Sequence, residues 1–401
     1  MKSIIILCDG IADHPIQRLG GKTPLMAART PHIDKLCAMG RTGRLLTVPA
    51  GMAPGSEVAN LGVLGYNAKE VYQGRGVLEA ASMGVELELT DLAMRCNLVC
   101  IENENIKNHS AGHISSEEGR ELIKTLNERL GSQTVKFYPG VSYRHLLVIA
   151  HGNNDITMTP PHDVPGKPFR DVLPRATTDH GAQTAGLINE LIHKSQQILQ
   201  DHPVNQGRVR GKKDPGNSIW PWAAGYKPKM KTLDELFHVT GAVIAAVDLI
   251  KGIGRYAGMR VIEVPGATGL HDTNYEGKAR AAVHALKDVD LVYLHIEASD
   301  EAGHEGDVDL KVRTVEFLDQ RVVKYILEET ARINDDVAIA LLPDHPTPCE
   351  LKTHTAAPVP FIIYHPGEQP DGVMEYNEES VKQGYYGLLE GDHFIRALLQ
   401  K

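Results

Sequence analysis

The segment Ala298-Ser299-Asp300-Glu301-Ala302-Gly303-His304 sets a carboxylate and an imidazole four residues apart, so one helical turn or a tight loop can aim both at one cation. A second pair, Asp344-His345, follows the apolar run Val337–Leu342, with His354 a little further on. Each fragment also has a plain explanation. The first can be a solvated acidic loop, and an isolated Asp-His pair is commonly a turn. Asp9 closes an isoleucine-rich N-terminal run, and Ser56 stands where Pro54-Gly55 leads into an apolar helix. Such a serine can simply cap the helix. Beside a divalent cation it can instead lose its proton and attack a phosphate held by the free amides of the helix start. Asp9, Ser56, Asp300, His304, Asp344, His345 and His354 thus form a set that two neighbouring cations can share. Oxygen and nitrogen donors of this kind suit manganese first, with zinc or, less well, magnesium as alternatives.

Positioning these groups together requires a sheet whose strands end at one edge. Residues 3–8, Ala242–Val247, Val261–Val264, Leu291–Ile296, Val337–Leu342 and Pro360–Tyr364 read as buried strands. They alternate with helical stretches around Leu249–Tyr256, Tyr275–Leu286 and Leu310–Arg332, which predicts an α/β fold with a doubly wound, mostly parallel sheet. Ligands of such sheets sit outside the carboxyl ends of the strands, where Asp9, the segment from Glu297 to His304, and Asp344-His345 all fall. The middle of the chain differs. Residues 84–102 and 134–159 alternate like antiparallel strands around a helix at Glu117–Leu130, so 67–175 reads as a smaller inserted α+β domain. The parts 1–66 and 176–401 then form the main domain. A helix is expected at Ala185–Leu199, and the polar stretch His202–Asn217 reads as a mobile connector. Trp220 and Trp222 are expected to pack in a core.

Among 401 residues, 42 Lys+Arg against 51 Asp+Glu give a net charge of −9. Without a basic cluster this argues against a nucleic-acid partner. No apolar run reaches the roughly 20 residues of a membrane span. Five scattered cysteines and no signal-peptide core fit a reduced, cytoplasmic chain. Nothing here fixes the oligomeric state.

These residues resemble those of the alkaline-phosphatase-like metalloenzymes. Within that superfamily the chain is similar to the shorter, archaeal-type 2,3-bisphosphoglycerate-independent phosphoglycerate mutases and to their paralogues described as proposed homoserine kinases. The resemblance spans nearly the whole chain. It is carried by Cys8-Asp9-Gly10, Pro54–Asn60, Gly74-Arg75-Gly76, Tyr143-Arg144-His145, Ala246–Gly254, Asp300–His304, Asp344-His345 and His354-Thr355. It implies interconversion of 3- and 2-phosphoglycerate without added bisphosphoglycerate, through a transient phosphate on Ser56. It implies one metal held by Asp300, His304 and His354, and another held by Asp9, Ser56, Asp344 and His345. It casts the insertion as a lid with cations for a small phosphorylated acid. Lys251 and Arg75 are the expected catalytic cations, and His109, Arg144 and Lys167 the substrate-binding groups. Asn108–His113 departs from the arginine-rich stretch expected there, which bears on the substrate. The rival readings are a phosphoryl transferase acting on another small hydroxy or amino acid, and a metal-dependent phosphatase. No Walker or protein-kinase motif is present to favour a kinase.

Overall fold

Four consecutive aliphatic residues, Ile4 to Leu7, can be buried on both faces only inside a parallel sheet, and strand β1 (Lys2–Cys8) lies there. The computed structural model describes residues 1–401 as two compact units. The first joins Met1–Tyr72 to Met230–Lys401, and the second is Gln73–Lys229.

The first unit is built on an eight-stranded sheet. After β1 its strands are β2 (Arg41–Leu46), β3 (Gly241–Ile244), β4 (Arg260–Val261), β5 (Leu291–Ile296), β6 (Val337–Leu342), β7 (Val359–Tyr364) and β8 (Leu388–Glu390). The spatial order is β4-β3-β5-β1-β6-β7-β2-β8. Only β7 runs against the others, pairing antiparallel with β6 and β2. Leu7 lies opposite both His295 of β5 and Leu342 of β6. This register ends the three central strands together and brings their following loops to one edge.

On one face Ile4, Ile6, Val292, Leu294, Ile339 and Leu341 pack with residues of the helices Pro31–Met39, Tyr275–Ala285 and Val308–Leu318. At about 25 cal/mol per Å² of apolar area, each such large side chain contributes roughly 1.5–3 kcal/mol. The helices Ser56–Val63 and Asp248–Tyr256 pack on one another. The first of them reaches the sheet through Asn60, which accepts a hydrogen bond from Tyr293 of β5 at 2.5 Å.

The second unit is a five-stranded antiparallel sheet with the helices Ser116–Leu130 and Ala182–Leu199 on its core. The sequence reading closes the insertion at residue 175, whereas the compact unit runs on to Lys229. The reason is long-range pairing: strand Ser218–Tyr226 lies against Asp91–Glu102, with Asn97 opposite Trp220. The stretch His202–Asn217, expected as a mobile connector, holds the helix Pro203–Arg210. The His202 imidazole caps it by accepting from Val204 N at 3.2 Å. Buried Arg208 donates to Glu118 at 2.6 Å. No helix of the chain is long and apolar enough to cross a membrane.

Candidate metal centre and nucleophile

The loop after β1 can turn into the site only at a glycine. Gly10 has φ +60°, and a Cβ there would stand 2.5 Å from Asp300 Oδ1 and 2.7 Å from Thr347 Oγ1. Its amide donates to Asp344 Oδ1 at 3.3 Å. Asp9, just before it, is buried beside the ends of β5 and β6. Asp300 and His304 lie on the helix Ala298–Glu305, one turn apart, with His304 Nε2 3.1 Å from Asp300 Oδ2. His354 Nε2 is 3.5 Å from Asp300 Oδ1 and 2.8 Å from His304 Nε2. Its ring stacks on His345 at 3.9 Å between centroids.

Ser56 is the first residue of its helix, with Gly55 in the capping position and no side chain closing the end. Its hydroxyl therefore does not cap. It lies 3.1 Å from His345 Nε2. Buried Asn60, one turn along, donates to Ser56 O and to Asp344 Oδ2, each at 2.8 Å. Tyr293 donates to the remaining Asn60 oxygen. Burial, with Asp344 and Asp9 nearby, pushes the Tyr293 phenol well above its ordinary range and keeps it a donor. Ser56 and the Asp344 carboxylate are thus tied to one amide.

The structure gathers all seven residues of the expected set, and it adds His295. Three donor sets have ligand atoms within 4.8 Å of one another: Asp300/His304/His354, Asp9/His295/Asp344 and Asp9/Asp300/His345. The first matches an expected set. Of the second expected set, His345 Nε2 lies 3.4 Å from Asp344 and 3.7 Å from Asp9, and Asp9 falls in two groups, one of them completed by His295. Sequence reasoning missed His295 because it interrupts a strand that is otherwise wholly apolar, Leu-Val-Tyr-Leu-His-Ile. That interruption was the available signal. A fully buried imidazole in such a strand requires a polar partner.

The donors fit a cation better than they fit one another. Asp9 Oδ1 and both ring nitrogens of His295 are buried without a hydrogen-bond partner. His295 Nε2 comes to 3.0 Å from Asp9 Oδ2, yet not in hydrogen-bond geometry. Burial, and then the Asp344, Asp300 and Glu297 carboxylates, push the Asp9 carboxyl well above its usual range. Burial also holds His295 down at about 4. Asp300 goes the other way: burial opposes its charge, but hydrogen bonds from His304 and His354 hold it far below the usual carboxylate range. Its partner His304 is pushed up to about 9, chiefly by that hydrogen bond. Crowded buried carboxylates and imidazoles with spare lone pairs make the donor set of a divalent cation.

The expected cations divide between the two units. Lys251 is on the helix Asp248–Tyr256, with Nζ 2.9 Å from Glu263 and 3.9 Å from Asp248. Near it in the first unit lies a further buried lysine, Lys278, which donates to the His295 carbonyl at 3.3 Å. Burial lowers Lys278 to about 8, while burial and neighbouring carboxylates raise Glu297 to about 8.

Arg75, Arg144 and His109 belong to the second unit, where aromatic rings and arginines converge. Arg95 lies 4.5 Å over the Trp222 ring and 2.9 Å from Glu79. Burial lowers its pKa, Glu79 opposes the shift, and Arg75 and Arg144 add to it. His109 meets Tyr143 and His162 edge-on, at 5.9 and 6.1 Å, and His162 meets Trp222 at 5.2 Å. Arg95, His162 and Trp222 were not singled out from sequence as site residues. The Lys167 side chain is exposed, and its backbone bonds to Val164 and Ile106.

Comparison with known proteins adds to this geometry. Residues 37–205 match the family model described as 2,3-bisphosphoglycerate-independent phosphoglycerate mutase. A protein of that name from Methanosarcina acetivorans is 51% identical over 404 residues, covering 100% of both chains. A Geobacter sulfurreducens protein described as a probable enzyme of the same name is 48% identical, again over 100% of both. Among solved structures, a Pyrococcus horikoshii protein aligns with a TM-score of 0.84 and 30% identity, over 100% of this chain and 97% of that one. The cofactor-independent phosphoglycerate mutase of Thermoplasma acidophilum aligns with a TM-score of 0.73 and 28% identity, over 100% and 99%.

Proposed function

Since the chain belongs to the family of 2,3-bisphosphoglycerate-independent phosphoglycerate mutases, we propose that it interconverts 3-phosphoglycerate and 2-phosphoglycerate through a phosphate carried on Ser56. The observation that carries this reading is the Ser56 hydroxyl, at an uncapped helix start, 3.1 Å from His345 Nε2 and beside buried metal-type donors. Two divalent cations, with manganese the leading candidate, would be held by Asp300, His304 and His354, and by Asp9, Ser56, Asp344 and His345 with His295 adjoining. When bound, they would lower the serine pKa and neutralise phosphate oxygens.

The chain's own groups then divide the work. Ser56 Oγ attacks phosphorus, the bond from phosphorus to glycerate O3 breaks, and the serine proton ends on the departing oxygen. The 2-hydroxyl of the retained glycerate next attacks the phosphoserine and gives its proton back to Ser56. The first-turn amides of the Ser56 helix face the transferring group's negative charge. Lys251 and Arg75 are read as its cationic partners. Arg144, His109 and Lys167 are read as holding the carboxylate end, with Arg95 and His162 added from the cluster around Trp222. Water must be kept from the phosphoserine, or the chain would be a phosphatase. Its reaction needs no added bisphosphoglycerate, and its metabolic setting is glycolysis or gluconeogenesis in the cytoplasm.

The test is direct. With manganese present, 3-phosphoglycerate should give 2-phosphoglycerate and no more than a trace of inorganic phosphate. Phosphate release without the isomer would refute the mutase reading in favour of a phosphatase. Ser56→Ala should abolish turnover with the fold intact; retained activity would refute the covalent route.

A further inference from the structure

Thr347, three residues past Asp344, is fully buried in the loop after β6. Its backbone is fixed from both sides: Thr347 N donates to Ala12 O at 3.2 Å, and Lys311 Nζ donates to Thr347 O at 2.8 Å. Its side-chain oxygen makes two contacts. Thr347 Oγ1 is 2.5 Å from Asp300 Oδ1 and 3.2 Å from His345 Nδ1. Asp300 closes on His304 and His354 and His345 closes on Ser56, while the two also share a donor group with Asp9.

A hydroxyl has one proton and two lone pairs. A carboxylate that holds a cation must be deprotonated, so in the metal-centre reading Asp300 can only accept. The Thr347 proton therefore points to Asp300, and what Thr347 Oγ1 presents to His345 is a lone pair. A bare Nδ1 there would set lone pair against lone pair. A protonated Nδ1 makes a hydrogen bond.

We propose that Thr347 is a positioning residue whose hydroxyl, donating to Asp300 and accepting from His345 Nδ1–H, holds His345 in the tautomer with a bare Nε2 facing Ser56. The opposite tautomer would put a proton where Ser56 Oγ or a cation needs a lone pair. Metal-bound imidazoles commonly owe their tautomer to a partner on the second nitrogen. Here one side chain performs that role for His345 while orienting the Asp300 carboxylate. The proposal rests on the metal-centre reading above and is independent of which phosphorylated acid is the substrate.

The experiment compares the full-length wild-type chain with Thr347→Val, which keeps the shape and removes the hydroxyl, and with Thr347→Ser, which restores it. Nitrogen-15 histidine spectra of the metal-free proteins should show Nδ1–H and a bare Nε2 for His345 in the wild type and in Thr347→Ser. In Thr347→Val the pattern should shift toward the other tautomer or a mixture. Manganese binding followed by calorimetry should weaken about 10- to 100-fold in Thr347→Val and return to within about threefold in Thr347→Ser. A wild-type His345 pattern in Thr347→Val overturns the proposal, as does manganese affinity within about threefold of wild type. A lower melting temperature with both readouts unchanged means that Thr347 only packs, and also overturns it. A wild-type chain that binds no manganese overturns the metal reading itself.

Discussion

The loops carrying Asp9 and Asp344 are bolted together by one buried ion pair, and removing its cation should be costly. Lys311 and Asp13 have fully buried side chains 2.9 Å apart. The lysine also donates to Ala12 O at 3.2 Å and Thr347 O at 2.8 Å. Lys311→Met keeps the apolar stem, deletes three donors and strands the carboxylate. Breaking a buried pair from one side costs about 3–5 kcal/mol. Asp13 retains the amides of His14 at 2.7 Å and Cys349 at 3.1 Å, which favours the lower half of that range. At about 2–4 °C per kcal/mol, the melting temperature of the first unit should fall by roughly 6–16 °C. Calorimetry and far-ultraviolet circular dichroism would measure it. Replacing both partners, as Asp13→Asn with Lys311→Met, should recover at least about 1 kcal/mol over Lys311→Met alone, because no unpaired charge remains. A loss below about 1 kcal/mol, or a double variant no better than the single one, would show that the pair does not clamp these loops.

Gly10→Ala should lower manganese affinity by at least about tenfold, since the new Cβ must displace Asp300 or Thr347; calorimetric titration giving wild-type affinity would contradict the close approach. Manganese at about 100 times its dissociation constant should stabilise the chain by about 2.7 kcal/mol, read as a melting shift that a chelator reverses. Burial holds His145 down at about 3, against about 6.5 in an unfolded chain. The unfolded chain takes up that proton first as pH falls. The stability His145 contributes is therefore complete above about pH 6.5 and is lost on the way to about pH 3, up to roughly 4–5 kcal/mol. Both tryptophans share its unit, so their fluorescence during urea unfolding at pH 7 and pH 4 reads the effect. His145→Gln should flatten it, and an unchanged pH dependence would disprove the assignment.

Much of the first unit was legible because its strands are apolar through and through. β5 and β6 occupy Leu291–Ile296 and Val337–Leu342 as read from the sequence, and the loops after them carry the donors. The Asp-x-x-x-His spacing became a helical turn, since such spacing is a local property. Long-range facts were hidden. Nothing local says that Leu7 faces His295, so the imidazole beside Asp9 went unseen. The reach of the insertion depended on a strand, Ser218–Tyr226, whose tryptophans and proline do not alternate cleanly. The helix at Pro203–Arg210 was masked by polar composition. Its buried Asn205 and Arg208 are satisfied by the Leu199 and Gly216 backbone and by Glu118, partners remote from any periodic pattern.

The place of β1 in its sheet also constrains how the chain can be made. Ser3 pairs with Leu291 and Lys2 with Val337, so this strand is completed by neighbours made about 290 residues or more after it. At about 5–20 residues per second, the roughly 290 intervening residues take on the order of 15–60 s. Throughout that interval Ile4-Ile5-Ile6-Leu7 has neither edge paired, and before it ends all strands of the inserted unit have been made and can fold. Nascent chains thus carry an adhesive N-terminal segment beside a finished second unit, and yield in the cell should depend on how well that segment is shielded during translation.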